Sequence, residues 1–394
     1  MAKFLFIVPP FTGHVNPTLG LGTELLNRGH QVAWVGFDPA LKERLPEGGE
    51  HLLIEFDISE DEKEQLKEHL IGLSQKKVYG LDSLKFLYDD VLVPLNTVLL
   101  DGINKFIDLF LPDVIITDHQ IFAGAVAAVK KNIPYVTSVT APAAIKVNDA
   151  LPMVYEWEGE QIINFQKKSG VEGDVRLDCS SLLTLVYTSG KFFGKSVLPG
   201  NYKFIGPVIN RKEVADNFDW EKLEKMGDRP KILVTIGTTY ILNQKELFFK
   251  KVVEAFESEN ITVIVVTEPE TLEYIPDNFM VCKQVPQLKL MPHLDAVVCH
   301  AGHNTVCEAI TNAKPLIVIP IAYDQSYVAG CVTDNGAGVR LNFNRFRAPH
   351  LKDALNKILT DLSYTEGAKA VQQSFSDAGG VVKGVDYLEE LLTR

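Results

Sequence analysis

CHAGHNTVCEAITNAKPLIVIPIAYDQ, residues 299–325, is the stretch whose reading decides the fold. An apolar run over residues 295–299 ends at Cys299, residues 305–312 have helical spacing, and residues 315–320 form a second apolar run. That order, strand then helix then strand, is a βαβ unit, and a crossover of this length requires the two strands to be parallel. The polar clusters His300-Ala-Gly-His-Asn-Thr305 and Asp324-Gln325 then follow the carboxyl ends of neighbouring strands. Open α/β sheets bind ligands at that edge, so both clusters are expected to face one ligand.

The same alternation extends in both directions. Residues 4–8 predict a strand, 16–28 a helix and 31–37 a second strand, with Arg28-Gly29-His30 as the stop between helix and strand. A charged, helix-forming region runs over 60–110; strands at 113–117 and 135–139 flank an alanine-rich helix, and 183–188 and 204–207 continue the pattern. Residues 210–229 are densely charged and lack apolar periodicity, as in a linker carrying at most a short surface helix. Alternation resumes at 231–236 and 261–267. The expected division is a Rossmann-like domain at 1–210, a linker at 211–229, a second Rossmann-like domain at 230–374, and a C-terminal helical segment at 375–394 that can pack back on the first domain. Each domain should hold a mainly parallel sheet, the two facing across a cleft.

With 394 residues, 46% hydrophobic and 23% charged, the chain can build two substantial cores. A formal net charge of −12 argues against nonspecific binding to nucleic acid or anionic membranes, both of which need a basic surface. The best local exception, Lys191-Phe-Phe-Gly-Lys195, reads first as a loop with two solvated lysines. Five cysteines without C-x-x-C spacing look like reduced core residues. No run has signal-peptide or membrane-spanning length, so a cytoplasmic protein is expected, with peripheral membrane contact still compatible.

In Gly302-His-Asn-Thr305, backbone N–H groups at a helix start, with the helix dipole behind them, suit a phosphate; His300, Asn304 and Thr305 can add hydrogen bonds. Glu308, four residues after Asn304, lies on the same helix face and could accept from a ribose diol. A ligand-free alternative stands beside this reading, because Thr305-Val-Cys-Glu308 also fits a capping box. Gly237-Thr238 follows the first strand of the second domain at the same sheet edge. Asp324 and Gln325 together can bind adjacent sugar hydroxyls, or else form a turn after Pro320. In the first domain, His14 falls between strand and helix, where a helix N-terminus disfavours imidazolium; Asp118 ends a later strand and could hold its tautomer.

VPQLKLMPHLDAVVCHAGHNTVCEAITNAKPLIVIPIAYDQ resembles the donor-binding signature of family 1 glycosyltransferases, nucleotide-sugar-dependent enzymes of GT-B fold. FLFIVPPFTGHVNPTLGLGTELLNRGHQVAWVGF looks like their N-terminal acceptor-side motif, and KFIGPVI like the stretch before their linker. PPF and HAGHNTV…PIAYDQSYVAGCVTDNGAG look closest to bacterial carotenoid glucosyltransferases of the zeaxanthin type, with macrolide and flavonoid enzymes as neighbours.

The resemblance implies His14 as general base with Asp118 as its partner. It implies His300, Asn304, Thr305 and Thr238 on the diphosphate, Glu308 on the ribose, Val285 and Gln287 at the base, and Asp324 and Gln325 on the sugar. Where relatives carry a Trp that stacks on uracil, this chain has Gln284, which leaves UDP-sugar and TDP-sugar both open as donors. The implied reaction is inverting transfer of a hexose, with no metal and no cofactor, to a small hydrophobic hydroxylated acceptor. A nicotinamide oxidoreductase would need a G-x-G-x-x-G turn, which neither domain has. A sugar-nucleotide epimerase or a nonenzymatic nucleotide-sugar binder on the same plan is the alternative.

Overall fold

A computed structural model describes residues 1–56, 81–209, 218–237, 242–322 and 324–393. The chain divides into two compact units, Met1–Asn210 with Phe375–Arg394, and Arg211–Ser374.

The first unit is built on a seven-stranded sheet: β1 (Lys3–Ile7), β2 (Gln31–Gly36), β3 (Glu50–Leu53), β4 (Val114–Asp118), β5 (Tyr135–Val139), β6 (Thr184–Val186) and β7 (Tyr202–Phe204). Its spatial order is β3-β2-β1-β4-β5-β6-β7, and every pairing is parallel. Strands covered on both faces read as unbroken apolar runs, which is why Phe4, Leu5, Phe6 and Ile7 are all buried. The strand order reverses between β1 and β4, so their carboxyl ends define the switch point where doubly wound sheets leave a crevice. His14 lies one loop beyond β1, and Asp118 is the last residue of β4.

The helix after β1 spans Thr12–Asn27 and starts a turn earlier than the sequence suggested. Asn16-Pro17 imitates an N-cap followed by the N1 proline, but Pro17 lies inside the helix. His14 therefore belongs to the first helical turn and not to a loop. The carboxyl-terminal helix Gly380–Glu390 packs on this same helix, with Val385 and Leu388 in one core with Leu21, Leu25 and Ile205. Arg28 ties the two together through Asp386 at 2.9 Å and Glu389 at 2.6 Å. Of the charged region at 60–110, the part before residue 81 is outside the described residues; beyond it the chain is helical, with Val93–Phe110 packed against the sheet.

The second unit has six parallel strands: β8 (Lys231–Thr235), β9 (Thr262–Val266), β10 (Phe279–Cys282), β11 (Ala296–Cys299), β12 (Leu316–Val318) and β13 (Gly338–Arg340). Their order is β10-β9-β8-β11-β12-β13. The switch point now falls between β8 and β11, at whose ends Gly237 and His300 follow. Residues 218–229 carry the short helix Trp220–Lys225, capped by the Asp219 side chain, with the Trp220 ring against His293.

Candidate active site

His14 and Asp118 meet. The imidazole Nδ1 is 2.9 Å from Asp118 Oδ2. The hydroxyl of Thr140, just past β5, lies 2.8 Å from the same nitrogen and donates to Asp118 Oδ2 at 3.0 Å. Asp118 is fully buried, and the His14 side chain is 15% exposed. Burial is the largest influence on the Asp118 carboxyl and opposes ionisation, but His14, His119 and the Gln120 amide outweigh it and hold the group below its usual range. With an ionised carboxylate accepting at Nδ1, the Nδ1–H tautomer of His14 is favoured and the lone pair is left on Nε2. The arrangement can take a proton and stabilise the resulting cation.

Two neighbours of this pair were not anticipated. His119, directly after Asp118, stacks on His14 with ring centroids 5.8 Å apart and an interplanar angle of 15°. Its Nδ1 is 3.4 Å from Asp118 Oδ1. Burial lowers its basicity, so it is held neutral. Thr140 had a usable signal, since it follows a strand end on the same sheet edge as Asp118. For His119 the sequence offers adjacency alone.

In the second unit the His300 imidazole lies between two glycines. A Cβ on Gly237 would come within 2.9 Å of its ring and one on Gly302 within 2.6 Å. Gly237 also has φ +76°, in the left-handed region that glycine tolerates. Burial pushes His300 down to about 4, a hydrogen bond to the Thr235 backbone acting the other way. At neutral pH it is an uncharged hydrogen-bonding group, not a cation. Ala301, between His300 and Gly302, is fully buried with φ +66°, and backbone strain of this kind collects at functional sites.

The following helix spans His303–Thr311 with Gly302 as N-cap and no side-chain cap. This corrects the capping-box alternative: Thr305 lies in the third helical position instead of at the cap, and Glu308 accepts from the Gln287 amide. Gly302, at the cap, has no side-chain oxygen to offer, and Asn304 and Thr305 occupy the first turn. Gln287 and Glu308 are therefore brought together, Val285 is half-buried nearby in sequence, and Gln284 is exposed. Asp324 is the N-cap of the helix Gln325–Asp334 without capping it by its side chain. Gln325 is buried, and its carbonyl oxygen accepts from Ile321 and Ala322 backbone N–H at 2.9 and 3.0 Å, so that half of the amide braces its own loop. Thr238 lies outside the described residues.

Glu308 supplies a pH test. Burial pushes its carboxyl up to about 7, with the Gln287 hydrogen bond acting in the opposite sense. A raised carboxylate favours the protonated folded form, so its stabilising contribution is full below the unfolded value and is lost as pH rises through 7. Glu308→Gln should be more stable than the parent at pH 8 by ~1–3 kcal/mol and no more stable at pH 4. Thermal melts of both chains across that range check this; a constant difference would assign the effect to packing. Comparing the two chains is necessary because burial also pushes Glu158, in the other unit, up to about 7.

A crevice-forming switch point with ligand-type residues in each of two parallel-sheet units is the plan of GT-B glycosyltransferases, and the calicheamicin glycosyltransferase CalG4 superposes with a TM-score of 0.77 at 22% identity, covering 100% of this chain and 99% of its own. Residues 181–378, just over half of the chain, match the model of the UDP-glucoronosyl and UDP-glucosyl transferase family. The chain belongs to that family, whose members transfer a sugar from a nucleotide sugar to an acceptor. It is similar along nearly its whole length to the NDP-glycosyltransferase YjiC of Bacillus subtilis (strain 168), 27% identical with 98% of this chain and 96% of the relative covered. The zeaxanthin glucosyltransferase of Pantoea ananas is 22% identical, covering 100% and 96%. Membership in a transferase family removes the epimerase and passive-binder alternatives. Among the described residues no helix is long and apolar enough to cross a membrane.

Proposed function

We propose that the protein is an inverting, metal-independent transferase that moves a hexose, glucose in the first instance, from UDP or TDP to a hydroxyl of a small, largely apolar acceptor of carotenoid, flavonoid or macrolide type. The observation that carries this reading is the buried Asp118 carboxylate on His14 Nδ1 at the β1–β4 switch point. His14 Nε2 takes the acceptor hydroxyl proton as that oxygen attacks the anomeric carbon, and Asp118 stabilises the imidazolium. The nucleoside diphosphate departs as an anion toward the amino end of the helix His303–Thr311, with His300 as a neutral donor. Glu308 binds the ribose, and the Gln287 amide, already on Glu308, orients it. A mass-spectrometric screen of hydroxylated carotenoids, flavonoids and macrolides against UDP-glucose and TDP-glucose tests the reading; a gain of one hexose on any of them supports it.

Asp324 is assigned to the sugar. Asp324→Ala should weaken intact UDP-glucose about ten- to a hundredfold and leave free UDP unchanged, the loss of a hydrogen bond to a charged group being worth ~1.5–3 kcal/mol. Calorimetry with both ligands decides; equal weakening of the two would make Asp324 a residue of the loop's architecture. Metal independence predicts that turnover persists in excess EDTA, and activity abolished by the chelator and restored by magnesium or manganese would overturn it.

A further inference from the structure

We propose that His14, Asp118 and His119 form a binding site for a late first-row divalent cation, of which Zn²⁺ is the biologically abundant case, and that occupancy of this site switches transfer off. Each of the three side chains offers one ligand atom, and these atoms lie within 4.8 Å of one another. Two imidazoles and one carboxylate are the donor set that suits zinc, cobalt or nickel, and not magnesium or calcium, which favour oxygen ligands alone. Two of the three are already desolvated, Asp118 at 0% and His119 at 6% side-chain exposure, while His14 at 15% leaves a way in. Nε2 of His119 is moreover buried without a hydrogen-bond partner, so this ring has a nitrogen that the fold leaves unused. Thr140 Oγ1, beside His14 Nδ1, donates to Asp118 Oδ2 and so can orient the carboxylate toward a cation.

The proton balance gives the consequence. A cation on His14 Nδ1 needs that lone pair, so the Nδ1 proton moves to Nε2 through solvent and no proton is gained or lost by the ring. The coordinated imidazole then carries hydrogen on Nε2 and has no lone pair with which to accept a proton from an acceptor hydroxyl. This inhibitory consequence rests on His14 being the base, whereas the binding site does not. Metal-independent transfer and inhibition by metal are two faces of the same geometry, since the residues that would chelate are those that must stay unligated to work.

Co²⁺ is the probe, because coordination by nitrogen and oxygen gives visible absorption bands. The metal-free full chain is titrated with CoCl₂ by absorbance and by calorimetry, beside His14→Ala and His119→Leu, with a thermal melt of each variant. One Co²⁺ per wild-type chain, with affinity lowered about tenfold or more in both variants, is expected. His14→Ala keeps the test valid if His119→Leu does not fold, because the His14 side chain is partly exposed. No binding by the wild type, or unchanged affinity in His14→Ala, overturns the site. Turnover with Zn²⁺, then with EDTA added, separates the two readings: binding with no loss of turnover leaves the site standing and removes His14 as the base.

Discussion

Replacing His14 by Ala should lower turnover by about 10²–10⁴-fold, the range that general-base assistance supplies, and leave donor affinity nearly unchanged. The first part follows from the geometry at Nδ1: Asp118 and Thr140 hold the ring by two short contacts. His119 cannot substitute, since it is buried and its Nδ1 is directed at Asp118 and Ser138. The second part follows from the proposed assignment of donor binding, whose residues all fall in the unit Arg211–Ser374, which does not contain His14. The side chain is partly exposed, so its removal opens no large core cavity, but buried Asp118 loses a partner that supports its ionised form and some loss of stability should accompany the change. Rates under saturating donor, with calorimetry on UDP-glucose, decide the matter. A parallel collapse of donor affinity would mean that His14 organises the protein and that the base is another group.

Deleting residues 375–394 should abolish the folded state of the first unit while the second still melts cooperatively. Val385 and Leu388 are fully buried in the core of that unit. Phe375 is buried and meets Phe192 edge-on at 5.7 Å. Burial of each such side chain is worth ~1.5–3 kcal/mol, so three of them approach the ~5–15 kcal/mol that separates folded from unfolded domains. The fit leaves no slack for a substitute: a Cβ on Gly384 would meet Leu21 at 2.8 Å and Ile205 at 2.9 Å. Scanning calorimetry of the shortened chain should show one transition. Two transitions, with the first unit's midpoint unmoved, would show that the terminal helix is an accessory.

The strands were legible for a physical reason. Parallel strands covered on both faces must be apolar throughout, so FLFI, VIIT and ILVT announce themselves without periodicity. Short edge strands such as Glu50–Leu53 and Gly338–Arg340 carry too few buried residues to stand out and were missed. Helix starts were misjudged by local chemistry that the fold overrides. Asn16-Pro17 looked like a beginning but is interior, and the capping-box pair Thr305 and Glu308 is separated because Gly302 already caps and Gln287 takes the carboxylate. His14 and Asp118 could be paired from sequence because each follows a central strand. Thr140 carries the same signal, since it follows a strand end on that sheet edge, whereas for His119 adjacency to Asp118 does not say that its ring turns toward His14.

The first unit is closed by the last residues of the chain, and the second is continuous from Arg211 to Ser374. During synthesis, therefore, the order of completion is inverted. The amino-terminal sheet emerges first and waits uncovered over Leu21 and Ile205, while the later unit has all its strands before the helix Gly380–Glu390 has left the ribosome. At ~5–20 residues per second that wait lasts on the order of 10–40 s, long enough for a holdase to engage the exposed face. A nascent chain stalled between Ser374 and Gly380 would carry a completed second unit joined to an unfinished first one, and quality control would meet it as an aggregation-prone intermediate, not as a truncated enzyme.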